Sequence, residues 1–225
     1  MPPDLARWRQ GLRAELLARR EAVPQAQRRA LDLEISLRLL HGLPVRAEMV
    51  LGFCWPHRGE YDARPLLRRL REQGVRCALP VVRGRDQPLI FRAWSPGVAM
   101  GRGVLGIAYP LDTPQVEPDL LLVPLVGFGR SGDRLGYGGG YFDRTLASYA
   151  RRPLAVGVGY EMARVDSTFP QPHDVLMDAI VTEQALRRVG DGELVEVTAS
   201  GLREHLLGLE RERAEQARRQ APAVR

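Results

Sequence analysis

Apolar positions along this chain switch repeatedly between helical and strand spacing. Leu5, Trp8, Leu12 and Leu16 form one stripe at intervals of three and four, which predicts an amphipathic helix over residues 4–21. Arg9 and Arg13, four apart, share a neighbouring face. Pro24 opens a second predicted helix that runs to about residue 40. The period then changes. Residues 48–55 read as a strand, and residues 62–73 as a helix closed by Gly74. Residues 76–82 and 89–94 are strand-like and are separated by the turn residues Gly84, Arg85 and Asp86. Residues 95–115, rich in Gly and Pro, predict an extended connection over the surface. The most continuous apolar run, residues 119–126, predicts a strand buried on both faces. A glycine-rich segment follows, then a helix to about residue 150, a buried strand at 153–160, a proline-rich loop at 169–174 and a short strand at 177–182.

Strands alternating with helices predict an α/β fold. We expect a mostly parallel, mixed sheet with helices on both faces, in a Rossmann-like three-layer α/β/α arrangement. Ligands of such sheets lie beyond the carboxyl ends of the strands. The segments 55–60 and 134–144 each follow a strand, so one crevice can receive both. Residues 201–221 interleave Glu and Arg as a solvated face does. We therefore expect one domain over residues 1–190 and a charged appendage, helical or frayed, over 191–225.

Composition narrows the chemistry. The chain has 225 residues, a formal net charge of +6 and no lysine, so every positive side chain is arginine. Schiff-base lysines and the lysine of a Walker-type phosphate loop are excluded. Any phosphate must be held by arginine, backbone N–H groups and a metal ion. No apolar run approaches the roughly 20 residues that span a bilayer. The N-terminal stretch lacks a secretory apolar region, and Asp4 and Glu15 argue against a transit peptide. Cys54 and Cys77 lie in or beside apolar stretches, as buried free thiols do. These features lead us to expect a cytoplasmic protein with no membrane partner; no dense basic tract precedes the C-terminal tail, so no nucleic-acid partner is expected, and we take the chain as a monomer.

The segment from Arg134 to Arg144, RLGYGGGYFDR, places Gly136, Gly138, Gly139 and Gly140 between an arginine and an aspartate. Backbone free of side chains lets N–H groups close around a phosphate. The N-terminus of the helix predicted next points at the same place. An arginine suits a phosphate and an aspartate a metal ion, so nucleotide-phosphate chemistry is the reading favoured over a ligand-free turn. Gly127 to Gly132 also matches G-x-G-x-x-G, the dinucleotide fingerprint, but no clear helix opens there and no acidic residue follows at the expected spacing. A redox enzyme using that match, or an arginine-rich RNA binder with steeply salt-sensitive affinity, are the competing classes.

The same segment resembles the RLGxGxGYYD signature of the 5-formyltetrahydrofolate cyclo-ligases (methenyltetrahydrofolate synthetases). Val123 to Phe128 is similar to the strand that precedes it. Arg9-Gln10-Gly11-Leu12-Arg13 resembles that family's N-terminal basic helix. Gly59-Glu60-Tyr61-Asp62 matches the place of a folate-contacting glutamate, and His173-Asp174 a C-terminal motif. The resemblance runs from about Leu5 to Glu183. Gly139 stands where a lysine is common, Phe142 where a tyrosine is, and Arg9 where a lysine is.

The resemblance implies ATP-dependent closure of 5-formyltetrahydrofolate to 5,10-methenyltetrahydrofolate, with ATP as co-substrate and Mg²⁺ as cofactor. It assigns Arg9, Arg13, Arg134, Leu135, Gly136, Tyr137, Gly138, Gly139, Gly140, Tyr141 and Phe142 to the nucleotide. Trp55, Glu60 and Tyr141 fall to the folate, and Asp143 and Asp174 to the metal, while Arg134 and Tyr141 are the candidate catalytic groups. Without it, Arg9 and Arg13 read as a solvated helix face, Asp143 as a first-turn acid complementing the helix dipole, and Asp174 as a loop cap. His173 is expected to be structural.

Overall fold

The apolar run at 119–126 becomes the middle of a nine-stranded sheet, where strands must be apolar on both faces. The computed structural model describes residues 2–220. In chain order the helices are α1 (Leu5–Glu21), α2 (Gln25–Gly42), α3 (Arg64–Glu72), α4 (Tyr141–Ser148) and α5 (Ala199–Gln220). The strands are β1 (Val50–Gly52), β2 (Arg76–Val81), β3 (Ile90–Trp94), β4 (Met100–Arg102), β5 (Ala108–Pro110), β6 (Gln115–Val116) and β7 (Leu120–Pro124). They continue with β8 (Gly127–Phe128), β9 (Arg134–Leu135), β10 (Leu154–Val158), β11 (Ala179–Val181), β12 (Leu186–Gly190) and β13 (Glu193–Val197).

The large sheet has the order β13-β12-β11-β10-β7-β1-β2-β3-β6. Its centre, β11-β10-β7-β1-β2, is parallel, and antiparallel strands extend both sides. Side chains alternate across it. Leu51, Leu79, Leu120, Leu122 and Val156 pack under Ile35 and Leu39 of α2, Leu67 and Leu70 of α3, and Leu202 and Leu206 of α5. Val50, Ala78, Leu121, Val123 and Ala155 face the other way, where α4 contributes Leu146. Helices therefore cover both faces of a mixed, mostly parallel sheet, as expected. Full burial of one leucine stabilises by about 1.5–3 kcal/mol, so these rows carry much of the fold.

Two segments differ from expectation. Residues 95–115 contain the β4–β5 hairpin rather than a plain connection. The division expected at residue 190 falls in the turn of the β12–β13 hairpin, and α5 buries Leu202 and Leu206 completely. Residues 221–225 of the expected appendage lie outside the described residues.

Chain order locates the crevice. From β1 the chain steps to β2 on one side and then to β7 on the other. The connections leaving β1 and β7 at their carboxyl ends thus diverge, which opens a cleft between them. Helix α1 lies across this end, with Leu16 and Leu17 buried against Val126 and Leu135.

Candidate active site

A cavity of about 530 Å³ occupies that switch point. Its lining brings together every sequence-predicted site residue: Arg9 and Arg13, Trp55 and Glu60, the loop from Arg134 to Asp143, and Asp174; His173, expected to be structural, lines it too. The volume lies within the range of small-molecule and cofactor sites.

The loop is built to present its backbone. Gly138 has φ 92° and Gly140 φ 63°, values that side chains rarely adopt. Gly140 is also the residue that starts α4. No N–H group from Gly136 to Gly140 finds a protein acceptor among the described residues. Five backbone donors beside a cavity, next to the positive end of α4, make an anion cradle.

Arginines from α1 complete one wall. Arg13 Nε donates to Gly136 O at 2.7 Å, and a Cβ at Gly138 would lie 3.3 Å from the Arg13 guanidinium carbon. Among the described residues Arg13 has no carboxylate partner. Burial, followed by the charge of Arg9, holds its pKa below the usual arginine value. A phosphate there would relieve that uncompensated charge. Arg9 instead pairs with Asp174 and donates to Thr168 O at 3.0 Å and Phe169 O at 3.2 Å. Burial pushes the Asp174 carboxyl up, but hydrogen bonds from Arg9 and the Gln171 N–H outweigh it and leave the group below the carboxylate range.

Arg134 is nearly buried; its Nη1 donates to Val175 O at 2.9 Å and forms an ion pair with Asp143 Oδ1 at 2.9 Å. Asp143 Oδ1 also accepts from Val175 N–H at 3.0 Å. Both contacts use one oxygen, which leaves Oδ2 for another ligand. In Asp174, likewise, Arg9 and Gln171 N–H engage Oδ2, while Oδ1 faces the His173 ring at 3.7 Å. No group of three or more His, Cys, Asp or Glu gathers around a metal position among the described residues. Mg²⁺ commonly takes one or two carboxylates and completes its shell with phosphate and water, so this donor set fits such an ion.

At the other wall Glu60 is buried. Its Oε2 accepts from His57 N–H at 3.0 Å, and its Oε1 accepts from the Tyr137 hydroxyl at 2.8 Å. Arg20 donates to that hydroxyl at 2.6 Å, to Leu125 O at 3.0 Å and to Arg58 O at 3.0 Å. Burial raises the Glu60 pKa, and Arg20, Tyr137 and the His57 N–H only partly oppose it. Burial, then the Glu60 charge, raise the Tyr137 pKa, so the hydroxyl remains a proton donor.

The 5-formyltetrahydrofolate cyclo-ligase family model matches residues 6–183. The chain belongs to this family. It is 33% identical over 180 residues to the 5-formyltetrahydrofolate cyclo-ligase of Mycolicibacterium smegmatis, covering 76% of this chain and 91% of that one. Its identity to the Escherichia coli K12 enzyme of the same name is 30%, over 73% and 94% of the two chains. The solved 5,10-methenyltetrahydrofolate synthetase of Aquifex aeolicus superposes with a TM-score of 0.68 at 29% identity, over 84% of this chain and 96% of that one. The Mycoplasma pneumoniae synthetase gives 0.64 at 26%, over 78% and 98%. The protein is therefore an enzyme, a ligase of the cyclo-ligase family. No described helix is long and apolar enough to cross a membrane.

Within this cyclo-ligase, Gly139 leaves room for an aromatic. A Cβ there would lie 2.9 Å from two ring carbons of Tyr141. Arg144 packs behind that ring, 5.2 Å from its centroid, and donates to Gly139 O at 2.6 Å. Trp55 carries the Arg64 guanidinium 4.8 Å from its ring centroid and meets Trp94 edge-on. The fingerprint match at Gly127–Gly132 is a β8–β9 hairpin with no helix after it. Side chains are excluded there by packing: a Cβ at Gly129 would strike Asp133, and one at Gly132 would strike Val189. The dinucleotide reading fails on that geometry.

Sequence reasoning missed two parts of the site. Val104, Ile107 and Tyr109, from the segment holding the β4–β5 hairpin, add an apolar wall with Val82 and Leu89. A connection of some twenty residues inside a compact domain is itself a functional signal, and it was present. Arg20 was missed although it repeats the Arg13 position two helical turns later on α1.

Proposed function

We propose that the protein closes 5-formyltetrahydrofolate to 5,10-methenyltetrahydrofolate with ATP, releasing ADP and phosphate. One observation carries this reading: a single cavity holds five unused loop N–H donors and the uncompensated Arg13 together with a buried acid and an apolar wall. The first set suits a triphosphate and the second a pterin.

The N5-formyl carbonyl is amide-like, so N10 does not displace its oxygen unaided. In the proposed reaction that oxygen attacks the γ-phosphorus and ADP leaves. N10 then attacks the formyl carbon, phosphate departs with the former carbonyl oxygen, and the N10 proton is lost. The protein supplies position and charge for these steps. Loop N–H groups and Arg13 hold the phosphates, with Arg9 beside them. Arg134 fixes Asp143 through Oδ1. Asp143 and Asp174 would hold Mg²⁺, which would supply positive charge against the phosphates. The fixed charges support a need for the cation, because Arg9 pairs with Asp174, Arg134 with Asp143 and Arg20 stands beside Glu60, which leaves Arg13 alone against a triphosphate. Glu60 accepts polar hydrogens of the pterin, with Trp55 and Tyr141 beside the ring or formyl group. The free thiols Cys54 and Cys77 suit a reducing compartment, and we place the enzyme in the cytoplasm.

Protein mixed with 5-formyltetrahydrofolate, ATP and Mg²⁺ is expected to develop the near-ultraviolet absorption of the methenyl product, and to stay dark when ATP is withheld. Folded protein that forms no product, or forms it equally without ATP, would overturn the proposal. Glu60→Gln keeps the side-chain shape and an acceptor oxygen but removes the charge. It is expected to weaken folate binding about 10- to 100-fold, the loss of a hydrogen bond to a charged group. Nucleotide affinity, measured by calorimetry without folate, should change by less than about twofold. A larger loss on the nucleotide side would misplace the folate pocket.

A further inference from the structure

Tyr137 is the one long side chain between Gly136 and Gly140, and its hydroxyl reaches residues of α1 and of the connection after β1. Its hydroxyl donates to Glu60 Oε1 at 2.8 Å and accepts from Arg20 Nη2 at 2.6 Å. Arg20 itself stands 3.9 Å from Glu60, beyond hydrogen-bonding range. The cation on α1 therefore reaches the acid after β1 through a phenol carried by the nucleotide loop. All three side chains are largely withdrawn from water, so each polar contact is costly to lose.

We infer that Tyr137 couples the two halves of the cavity, so that filling the phosphate cradle orders Glu60 for the pterin and a bound pterin orders the loop. This rests on the proposed folate and nucleotide assignments. The physical route is short. A phosphate bound by the loop N–H groups restricts the backbone on both sides of Tyr137. The ring is then held in the one orientation in which its proton points at Oε1, and the carboxylate no longer samples others. The reverse holds by linkage, because two ligands that order the same element tighten one another by the same factor. Tyr137 is thus a positioning residue that touches neither reacting atom.

The sparse anchoring of the loop makes this tether matter. Its other described anchors are Arg13 on Gly136 O, Arg144 Nη2 on Gly139 O and the Arg144 N–H on Gly140 O, all on carbonyls towards the loop's two ends. Among the described residues, only Tyr137 hydrogen-bonds it to the opposite wall. A packing role alone would be satisfied by the ring, whereas coupling requires the oxygen.

Calorimetry on the full chain separates these roles. The affinity for 5-formyltetrahydrofolate is measured with and without a saturating non-hydrolysable ATP analogue and Mg²⁺, in the native protein and in Tyr137→Phe. The analogue is expected to tighten folate binding about fivefold or more in the native protein, the factor that one net hydrogen bond supplies. In Tyr137→Phe this factor should fall below about twofold, whatever the lost hydroxyl does to the affinity for either ligand alone. The same factor in both proteins, or no tightening in the native protein, overturns the inference and leaves the proposed reaction standing. Native protein that binds the analogue but no folate at all removes the proposed function, and the coupling with it.

Discussion

Asp143→Asn is expected to lower turnover about 100- to 1,000-fold, the range found when one preorganised charge-stabilising group is taken from a phosphoryl or acyl transfer site. The asparagine keeps an oxygen for Arg134 and for the Val175 N–H, which now share Oδ1 at 2.9 and 3.0 Å. What disappears is the negative charge at the mouth of α4 and the affinity of Oδ2 for a hard cation. Arg134, with a side chain only 5% exposed, then lacks its countercharge, so stability should fall by about 1–3 kcal/mol. Turnover is therefore read well below both melting temperatures, together with the Mg²⁺ concentration that half-saturates the rate, which should rise about tenfold or more. Native turnover in this variant would reduce Asp143 to a first-turn acid, worth about 0.3–1 kcal/mol against the helix dipole.

The parts of this site that were legible in the sequence are those written in contiguous residues. A side-chain-free loop after an apolar strand leaves its backbone accessible, and the glycine loop within Arg134 to Arg144 lines the cavity. β7 is apolar on successive positions because helices cover both its faces, so its central place could be read directly. The β12–β13 hairpin was also written locally and was overlooked. Asp191 and Gly192 both have positive φ, 53° and 79°, the geometry of the tight turn that Asp-Gly favours. Charged residues such as Arg187 and Glu196 hid its strands, because the buried Arg187 pairs with Glu161 and Glu196 rather than with an apolar row. In α5 two leucines four apart, Leu202 and Leu206, were outweighed by the surrounding charge, although burial of that pair is what docks the helix. The Arg20–Tyr137–Glu60 chain could not be read at all. Its members lie on α1, on the glycine loop and in the connection after β1, and only the folded topology brings them within bonding distance.

Arg20→Met is expected to lower stability by about 3–5 kcal/mol near neutral pH, the cost of removing one member of a buried ionic cluster. For a chain of 225 residues this corresponds to a fall in melting temperature of roughly 6–20 °C. The methionine fills most of the space but donates nothing to Arg58 O, Leu125 O or the Tyr137 hydroxyl. It also strips Glu60 of its nearest cation. That second loss gives the variant a pH signature. Burial already raises the Glu60 pKa, and without Arg20 it rises further. In the window between the ordinary carboxylate value and the raised one, the native state binds more protons than the unfolded state. Stability then falls as pH rises through that window and recovers on acidification. The gap between native protein and Arg20→Met should therefore narrow from pH about 7.5 towards pH about 4.5. The groups facing Glu60 that set this window are Arg20 from α1, the Tyr137 hydroxyl, the His57 N–H and the Cys54 thiol. A gap independent of pH would mean that the lost carbonyl contacts account for the whole penalty and that Glu60 is compensated elsewhere. Combining Arg20→Met with Glu60→Gln discriminates further: the double variant should be more stable at neutral pH than the two single losses added together, because the acid that needed the arginine is gone. Strict additivity would place the stabilising partner of Glu60 outside the Arg20–Tyr137 chain.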